Sequence, residues 1–394
     1  MRKSLVAAVL AAGMAVLATA AWGSSQRSSK TASPANAATA LVKCGKTRTF
    51  GLMAPFTGPA ASVGQQQVRW VKYFVKQYNK RHKTRDATQN EDTMLGGPNG
   101  TAEALKGAQA LASSSKVLAT VGPAGSNEIV GVTKTLKDAG LAWVSGSSTR
   151  TSLTLDGTRT GFMFRTVPPD RVQGTTAADF IVKNLKLKRV FIIDDEEIYS
   201  TGLADTVQSR LRAAGVSVRR TGISQSQSDF SSVIATIPGN TQLIYIPWQL
   251  TGQAIPFVRQ LKQAGKGRMK VMGADGLFDP SFAALGSNIY DTSFPLNPKS
   301  TILQTYAKAH HGNGDYFGAP SFAAAQVVSG AIDRACKNGT ASRAEVRAQI
   351  KRTRIPANSS VLGVVVGFDR HGDLRLPKKF GIYKSVNGKF VPIA

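Results

Sequence analysis

Residues 117–149 read VLATVGPAGSNEIVGVTKTLKDAGLAWVSGSST, and they contain the clearest signal of fold class in the chain. The apolar run Val117–Val121 predicts a buried strand, and Glu128–Ala139 has the apolar spacing of an amphipathic helix. A second apolar run, Leu141–Ser145, predicts the next strand. Two strands separated by one helix are typical of a parallel βαβ unit, and here a polar, glycine-rich turn follows each strand.

The same alternation of strands and helices extends over most of the chain. Further strands are predicted at Thr49–Met53, Val190–Ile193, Val216–Arg220, Leu243–Ile246, Lys270–Met272 and Val364–Phe368. Helical spacing fills the gaps at Gly64–Asn79, Ala102–Ser113, Thr175–Leu185, Gly202–Ala214, Ala254–Ala264, Ser300–Ala309 and Ser321–Ala335. The pattern predicts an α/β fold with parallel sheets. Chain crossings between two lobes are expected at Pro168-Pro169, at Pro295 with Pro298, and at Pro356.

The charge of the chain is large and unevenly distributed. Of 394 residues, 42% are hydrophobic and 19% charged, which is a core-forming composition, yet the net charge is +27. No acidic residue precedes Asp86, and the middle of the chain is nearly balanced, which argues against a protein that coats nucleic acid over its whole length. Basic residues recur on one face of the first predicted helix, at Arg69, Lys72, Lys76, Lys80 and Lys83. We interpret them as a solvated helix face, with a binder of nucleic acid or surface polymer as the alternative.

The N-terminus predicts an exported protein. Residues 1–20 combine Arg2 and Lys3 with an Ala-rich apolar run and the small-residue site Ala18-Thr19-Ala20, which is the pattern of a cleaved signal peptide. The alternative is an uncleaved anchor. No cysteine lies near the cleavage point, so a lipid anchor is not expected there. Residues 21–44 are interpreted as a flexible leader, and the protein is placed in the periplasm, the cell envelope or the extracellular space.

Cys44 and Cys336 are the only cysteines. An even pair in an exported protein favours a disulfide, since the compartments outside the cytoplasm are oxidising. Cys44 precedes the first predicted strand and Cys336 ends a predicted helix, so both fall on the same rim of a parallel sheet. Two buried free thiols are the alternative.

The turn Gly122–Asn127 follows one strand and opens a helix. Such a turn offers free backbone N–H groups and the positive end of the helix dipole, and so predicts an anion site. It lacks the Gly-Lys-Ser/Thr ending of a phosphate loop, and a small carboxylate fits it better than a triphosphate. The alternative is an ordinary turn in which Ser126 caps the helix.

Three further side chains complete a predicted site for a zwitterion. Ser147 and Thr149 follow the next strand and offer hydroxyl and amide donors to the same anion. Asp275 follows Lys270–Met272 between glycines, where its carboxylate is placed to meet an ammonium group. Tyr199 and Trp248 stand at neighbouring strand ends as candidate apolar walls, although either aromatic alone is more often part of the packing.

Catalytic and metal-binding patterns are weak. His82, His310, His311 and His371 occur without a zinc or nucleophile motif, and no nucleophile–base pair emerges. The acidic run Asp194–Glu197 is interpreted as a solvated loop rather than a cation site. We therefore predict no enzyme activity, no cofactor and no metal.

Taken in order, these loops resemble the substrate-binding proteins of branched-chain amino-acid ABC transporters, over nearly all of residues 45–385. The resemblance rests on Pro55-Phe56-Thr57-Gly58-Pro59 with Gly64, Val121-Gly122-Pro123 with Ser126, Phe164-Arg165-Thr166 with Asp170 and Gly174, Asp195 with Tyr199-Ser200-Thr201-Gly202, Asp229-Phe230-Ser231, Gly273-Ala274-Asp275-Gly276, and Gly367-Phe368-Asp369 with Gly372-Asp373. Two departures are present. The segment from Lys80 to Gly100 lacks the usual Gly-Gly turn and acidic pair directly after the first helix, and Pro247-Trp248 makes the pocket wall unlike a leucine site.

The resemblance implies a type I periplasmic binding fold, with two Rossmann-like lobes joined by three crossovers. Its implied segments are 45–167 and 298–355 for one lobe, and 168–297 and 356–394 for the other. Ser126 and Thr149 match residues that bind the α-carboxylate, while the Ser147 carbonyl and Asp275 match groups that bind the ammonium. Tyr199 matches a pocket aromatic, and Trp248 falls near another.

The function implied is capture of a branched-chain or related small amino acid by lobe closure, followed by delivery to the permease of an ABC importer. The alternatives are a ligand-sensing receptor module of the same fold, or a binder of amides, urea or aromatic acids. The protein is expected to act as a monomer and to bind no nucleic acid.

Overall fold

The computed structural model describes residues 40–97, 100–310, 315–375 and 380–393. The predicted signal peptide, and the predicted leader as far as residue 39, lie outside the described residues. Within the described ranges, no helix is long and apolar enough to cross a membrane.

Two mainly parallel sheets organise the chain. The strands are β1 (Val42–Lys43), β2 (Thr49–Ala54), β3 (Ala87–Asp92), β4 (Val117–Val121), β5 (Trp143–Ser145), β6 (Met163–Arg165), β7 (Arg189–Asp194), β8 (Ser217–Gly222), β9 (Leu243–Tyr245), β10 (Lys270–Met272), β11 (Ile289–Ser293), β12 (Thr340–Ala341), β13 (Gly381–Val386) and β14 (Lys389–Pro392). The first sheet has the order β3-β2-β4-β5-β6, and all of its pairs are parallel. The second has the order β14-β13-β11-β10-β9-β7-β8, with β13 and β14 antiparallel at one edge.

Helices connect the parallel strands, as βαβ geometry requires. They are α1 (Ala61–His82), α2 (Gly100–Ser113), α3 (Ser126–Asp138), α4 (Ser152–Leu155), α5 (Asp170–Asp179), α6 (Ile198–Ala213), α7 (Ser231–Thr236), α8 (Thr251–Leu261), α9 (Pro280–Ala283), α10 (Thr301–Ala309), α11 (Gly318–Ala335) and α12 (Arg343–Lys351). We call the first sheet with its helices the first lobe, and the second sheet with its helices the second lobe.

The chain passes between the lobes three times. It leaves the first sheet after β6, returns after β11 to form α10–α12, and leaves again before β13. Helices α11 and α12 pack on α1, β4 and β5 of the first lobe. The predicted fold class, two Rossmann-like lobes joined by three crossovers, is confirmed. The segment boundaries given above remain predictions.

Local predictions failed at the least regular strands. Val364–Phe368 is not a strand, because only two isolated bridges, Ile355 to Val366 and Phe368 to Leu374, form there. Strand β3 was not predicted, since its sequence ATQNED has none of the apolar alternation of a half-buried strand. The β13–β14 hairpin was also missed, although its turn Asn387-Gly388, with both φ values positive, carries a strong hairpin signal.

The core of the first lobe depends on a close approach between α1 and α11. Trp70 of α1 is fully buried and stacks on Tyr306 at 4.0 Å between ring centroids. A Cβ atom on Gly318, at the start of α11, would lie 1.9 Å from the Trp70 ring. Only glycine therefore allows α11 to begin where it does.

The two cysteines form a disulfide between the start of the described chain and the end of α11. The Cys44 and Cys336 sulfur atoms are bonded at 2.03 Å, and the Cα atoms lie 5.6 Å apart. Beside the disulfide, β1 pairs antiparallel with β12, and the Cys44 N–H donates to the Gly339 carbonyl at 2.8 Å. The prediction of a flexible leader is therefore wrong for residues 42–44, which this contact holds in place.

A buried ion pair joins two of the crossovers. Arg165, at the end of β6, donates to the Asp373 carboxylate at 2.7 Å, and both side chains are fully buried. Arg171 of α5 donates to the other carboxylate oxygen at 2.9 Å, and the Thr154 hydroxyl adds a hydrogen bond. This arrangement fixes the start of the second lobe against the segment that precedes β13.

The basic face of α1 is only partly solvated. Lys72, Lys76 and Lys80 are exposed, but Arg69 forms a bidentate ion pair with Asp315, with contacts of 3.1 and 3.0 Å. Arg69 therefore contributes to the packing of the first lobe, and the predicted solvated face of α1 does not include it.

Candidate functional site

A small cavity lies where the loops of the two sheets meet, beyond the carboxyl ends of their strands. Its volume is about 40 Å³. The first lobe lines it with Ala60, Val63, Leu95, Ala124, Gly125, Ser126, Ser147 and Phe317, and the second lobe with Tyr199, Gln249, Asp275 and Gly276. Of the six predicted ligand-binding residues, the structure brings four together here, namely Ser126, Ser147, Tyr199 and Asp275.

The N-terminus of α3 forms one wall of the cavity. Gly125 is the N-cap and Ser126 the first helical residue, so the interpretation of Ser126 as the cap is wrong. The Gly125 N–H is occupied by the Glu128 carboxylate at 2.6 Å. Among the described residues, the N–H groups of Ser126 and Asn127 have no acceptor. These two groups and the dipole of α3 are what an anion would meet.

Ser147 and Thr149 lie in the turn after β5, but only Ser147 lines the cavity. The Ser147 hydroxyl accepts from Gln67 at 2.8 Å and donates to the Ala124 carbonyl at 2.7 Å, so its own hydrogen bonds are satisfied within the first lobe. Thr149 is fully buried, and its carbonyl accepts from the Asp170 N–H at 2.7 Å. The structure does not bring Thr149 to the cavity wall.

Asp275 and Tyr199 form the opposite wall. Asp275 begins a short 3-10 helix after β10, and only 3% of the residue is exposed. The Tyr199 hydroxyl donates to its carboxylate at 2.7 Å. Burial raises the pKa of Asp275 to about 6, against the effect of hydrogen bonds from Tyr199 and Gln173. No cation of the described chain is among the groups that act on Asp275.

Two other buried carboxylates lie close enough to Asp275 to feel its charge. Burial, and then the charge of Asp275, raise the pKa of Asp170 to about 7. The same two causes hold the pKa of Asp291 well above its usual range. This part of the cleft therefore carries more potential negative charge than the chain itself compensates, and a cationic group would stabilise it.

The structure does not place Trp248 at the cavity, which corrects the prediction for that residue. Its indole is fully buried in the core of the second lobe, 5.1 Å from Phe257 between ring centroids, and donates to the Ile193 carbonyl at 2.7 Å. The next residue, Gln249, lines the cavity instead. Both residues lie in the irregular segment after β9, where the indole of Trp248 is buried in the core and the next residue lines the cleft.

The expectation that the acidic run Asp194–Glu197 is a solvated loop is wrong for Asp194 and Asp195, while Glu196 is exposed. Asp194 and Asp195 are buried, with Asp194 paired to Arg220 at 2.7 Å and Asp195 accepting from Gln225 at 3.0 Å. Glu197 reaches across the cleft and accepts from Asn127 of the first lobe at 2.8 Å. A run of consecutive carboxylates in the sequence does not indicate that each of them has a different partner in the fold.

Several contacts hold the two lobes together around the cavity. Leu250 of the second lobe is buried against an apolar cluster of the first lobe formed by Ala60, Leu95 and Ala124. Arg150 of the first lobe donates to the Ile198 carbonyl of the second. The Gly97 N–H donates to Gln225 at 3.1 Å. The described cleft is therefore closed.

The chain is similar to known binding proteins along most of its length. A family model described as periplasmic binding protein matches residues 47–375. The Leu/Ile/Val-binding protein homolog 3 of Brucella melitensis is 26% identical over 87% of this chain and 92% of its own. The Leu/Ile/Val-binding protein BraC3 of Rhizobium johnstonii is 28% identical over 87% and 93%.

A solved structure of a leucine-binding protein from Thermotoga maritima superimposes with a TM-score of 0.78 at 22% identity, over 88% of this chain and 98% of that one. A solute-binding protein from R. palustris in complex with benzoate has a TM-score of 0.75 at 17% identity, over 88% and 95%. These two structures establish the shared fold, although one is of a leucine-binding protein and the other is a complex with benzoate.

Proposed function

The chain belongs to the periplasmic binding protein family, and on that premise we propose that it captures a small amino acid outside the cytoplasm and delivers it to an ABC importer. The observation that carries the proposal is the polarity of the cavity, with unpaired N–H groups at the start of α3 on one wall and the Asp275 carboxylate on the other. An α-amino acid is a zwitterion with the same separation of charge.

The size of the cavity supports a small ligand. One water molecule needs roughly 10–15 Å³ by this measure, so about 40 Å³ suits a small ligand in the closed cleft rather than a large one. Val63, Leu95 and Phe317 make the remainder of the wall apolar. An aromatic acid such as benzoate has no ammonium group to meet Asp275.

Titration with matched ligands tests the capture of a zwitterion. Alanine is compared with N-acetylalanine, which lacks the ammonium charge, with alaninamide, which lacks the carboxylate, and with benzoate. We expect binding of alanine alone, since each of the others leaves one wall of the cavity without its partner. Binding of N-acetylalanine or benzoate as tightly as alanine would contradict the proposal.

Delivery to an importer is tested in cells that carry the gene. Uptake of the labelled amino acid is expected to fall when the gene is deleted and to return with the wild-type chain. Normal uptake in the deletion strain, with binding intact in the purified protein, would instead favour a sensing role. We propose an extracytoplasmic location and a monomeric protein, which size-exclusion chromatography of the purified chain checks.

A further inference from the structure

Three polar side chains form a hydrogen-bonded chain across the cleft beside the cavity. The Glu197 carboxylate of the second lobe accepts from Nδ2 of Asn127, in the first lobe, at 2.8 Å. Oδ1 of Asn127 accepts from Nε2 of Gln249, in the second lobe, at 3.1 Å. Asn127 therefore contacts the opposite lobe on both sides of its amide, and it does so only when the cleft is closed.

Glu197 fixes the direction of these hydrogen bonds. An ionised carboxylate only accepts, so the NH₂ group of Asn127 must face Glu197 and its carbonyl oxygen must face Gln249. That oxygen in turn requires the NH₂ group of Gln249. The carbonyl oxygen of Gln249, Oε1, is the group left over.

Oε1 of Gln249 is buried and has no hydrogen-bond partner within the described ranges. The residue is 8% exposed, and it lines the cavity. A buried carbonyl oxygen without a donor is unfavourable, and a donor that arrives with a ligand removes the penalty. A residue that lines the cavity thus carries an acceptor that no group of the described residues uses.

The backbone that carries Gln249 is held firmly. The neighbouring Trp248 is anchored by its hydrogen bond to the Ile193 carbonyl. Gly276 packs so closely that a Cβ atom there would lie 2.6 Å from the Trp248 carbonyl oxygen and 2.9 Å from the Gln249 Cα. Oε1 is therefore positioned by packing on one side and by Asn127 on the other, as a discriminating group must be.

We propose that Gln249 determines specificity, with Oε1 accepting a hydrogen bond from a hydroxyl or amide group on the side chain of the bound amino acid. This inference rests on the proposed function, in which the ammonium meets Asp275 and the carboxylate meets the start of α3. With both charged groups of the ligand engaged there, the donor that reaches Gln249 belongs to the side chain. Because the cavity is small, the ligand class is a small hydroxyl or amide amino acid, such as threonine or serine.

Threonine and valine provide the test, because they differ only by a hydroxyl in place of a methyl group. Isothermal titration is run at pH 8. Burial raises the pKa of Glu197, and the hydrogen bonds from Glu197 through Asn127 to Gln249 require the ionised carboxylate. We expect the wild-type protein to bind threonine at least about tenfold more tightly than valine, because a site built around a buried polar group rejects the ligand that leaves it unpaired. Serine and alanine form a second pair with the same expected order.

Gln249→Met removes the acceptor while keeping the length of the side chain. We expect the threonine-to-valine ratio to fall to within about twofold, as an apolar wall discriminates poorly between these isosteres. Gln253→Met is the matched control. Gln253 is 6% exposed, donates to the Ser224 carbonyl at 2.8 Å and also has a buried, unpartnered Oε1, but it does not line the cavity. Its variant is expected to keep the wild-type ratio.

The outcomes separate the two proposals. Equal or tighter binding of valine by the wild-type protein overturns the specificity inference and leaves the proposed function standing. A uniform loss for all four amino acids in Gln249→Met, with the threonine-to-valine ratio kept, also overturns it, because Gln249 would then serve lobe closure through Asn127 rather than the side chain of the ligand. If none of the four amino acids binds, both the proposed function and this inference are overturned.

Discussion

Two buried aspartates, Asp373 at the crossovers and Asp275 at the cleft, have opposite surroundings. Asp373 accepts from Arg165 and Arg171. Burial opposes its ionisation, but the charge of Arg165 and the hydrogen bonds to the carboxylate together outweigh burial and lower its pKa. Asp275 has a tyrosine hydroxyl where Asp373 has guanidinium groups, and burial raises its pKa to about 6.

The difference separates a structural charge from one kept for a ligand. A buried carboxylate is stable when a cation within the chain compensates it, as at Asp373. At Asp275 the chain supplies hydrogen bonds but no counter-ion among its described residues, so the site stabilises the ion only when a cation arrives from outside. Perturbed pKa values of this kind cluster at functional sites.

The largest effect is expected from breaking the structural pair. Arg165→Met leaves Asp373 buried with one guanidinium fewer and should lower the free energy of unfolding by about 3–5 kcal/mol, measured by urea denaturation. Arg210→Met is the control, since its ion pair with Asp179 is largely exposed and its loss should not be measurable. Equal stability of the Arg165 variant and wild type would show that Asp373 does not depend on its partner.

Asp275→Asn should give the reverse pattern, loss of binding without loss of stability. The missing charge is expected to weaken amino-acid binding by about 2–5 kcal/mol, or more than tenfold in Kd. The unfolding free energy of the free protein should be unchanged or higher, because a buried carboxylate is removed.

Asp291→Asn is the matched control for Asp275→Asn. Asp291 is also a fully buried carboxylate beside β10, but it does not line the cavity. Its variant should bind within a few-fold of wild type. Comparable losses in both variants would assign binding to the whole acidic cluster rather than to Asp275.

The two aspartates should also respond oppositely to pH. Between the usual Asp pKa and about 6, the folded protein holds a proton on Asp275 that the unfolded chain releases. Stability from this group therefore falls as pH rises through that window, by up to about 1.4 kcal/mol per unit, and Asp170 and Asp291 act in the same direction. Asp373, whose pKa is lowered, contributes stability that is lost as pH falls through its folded pKa.

The affinity for the ligand should also depend on pH, because an ammonium group requires the ionised form of Asp275. Affinity should decline below pH 6 by up to about tenfold per unit. Titration near pH 6 in two buffers of different ionisation enthalpy should show proton release on binding. Affinity that is constant from pH 5 to 8 would contradict the assignment of Asp275 to the ammonium.

The smallest effect is expected from Tyr199→Phe. The variant removes the hydroxyl that donates to Asp275 and should raise the pKa of that carboxyl further. Binding is expected to weaken by about 0.5–1.5 kcal/mol, and the pH midpoint of binding should move upward. Titration of binding against pH checks both, and an unchanged midpoint would show that the hydroxyl does not tune Asp275.

The fold was largely predictable, and the site only in part. Strand β4 and helix α3 follow from apolar spacing, and the glycine-rich turn between them placed Ser126 correctly at the cleft. Gln249 could not be found this way, because the choice between Trp248 and Gln249 depends on which side of the chain faces the core after β9. Strand β3 was missed for a related reason, as its polar sequence is held in place by pairing with β2.

The α/β class, the succession of βα units and the loops that line the cleft follow from the amino-acid pattern, because they depend on local spacing and on the common edge of parallel strands. Which buried carboxylates have cations beside them depends on the folded chain. Asp373 and Arg165 are separated by more than 200 residues, as are Asp315 and Arg69. Such partners are chosen by packing, and the absence of one at Asp275 among the described residues is equally a property of the fold.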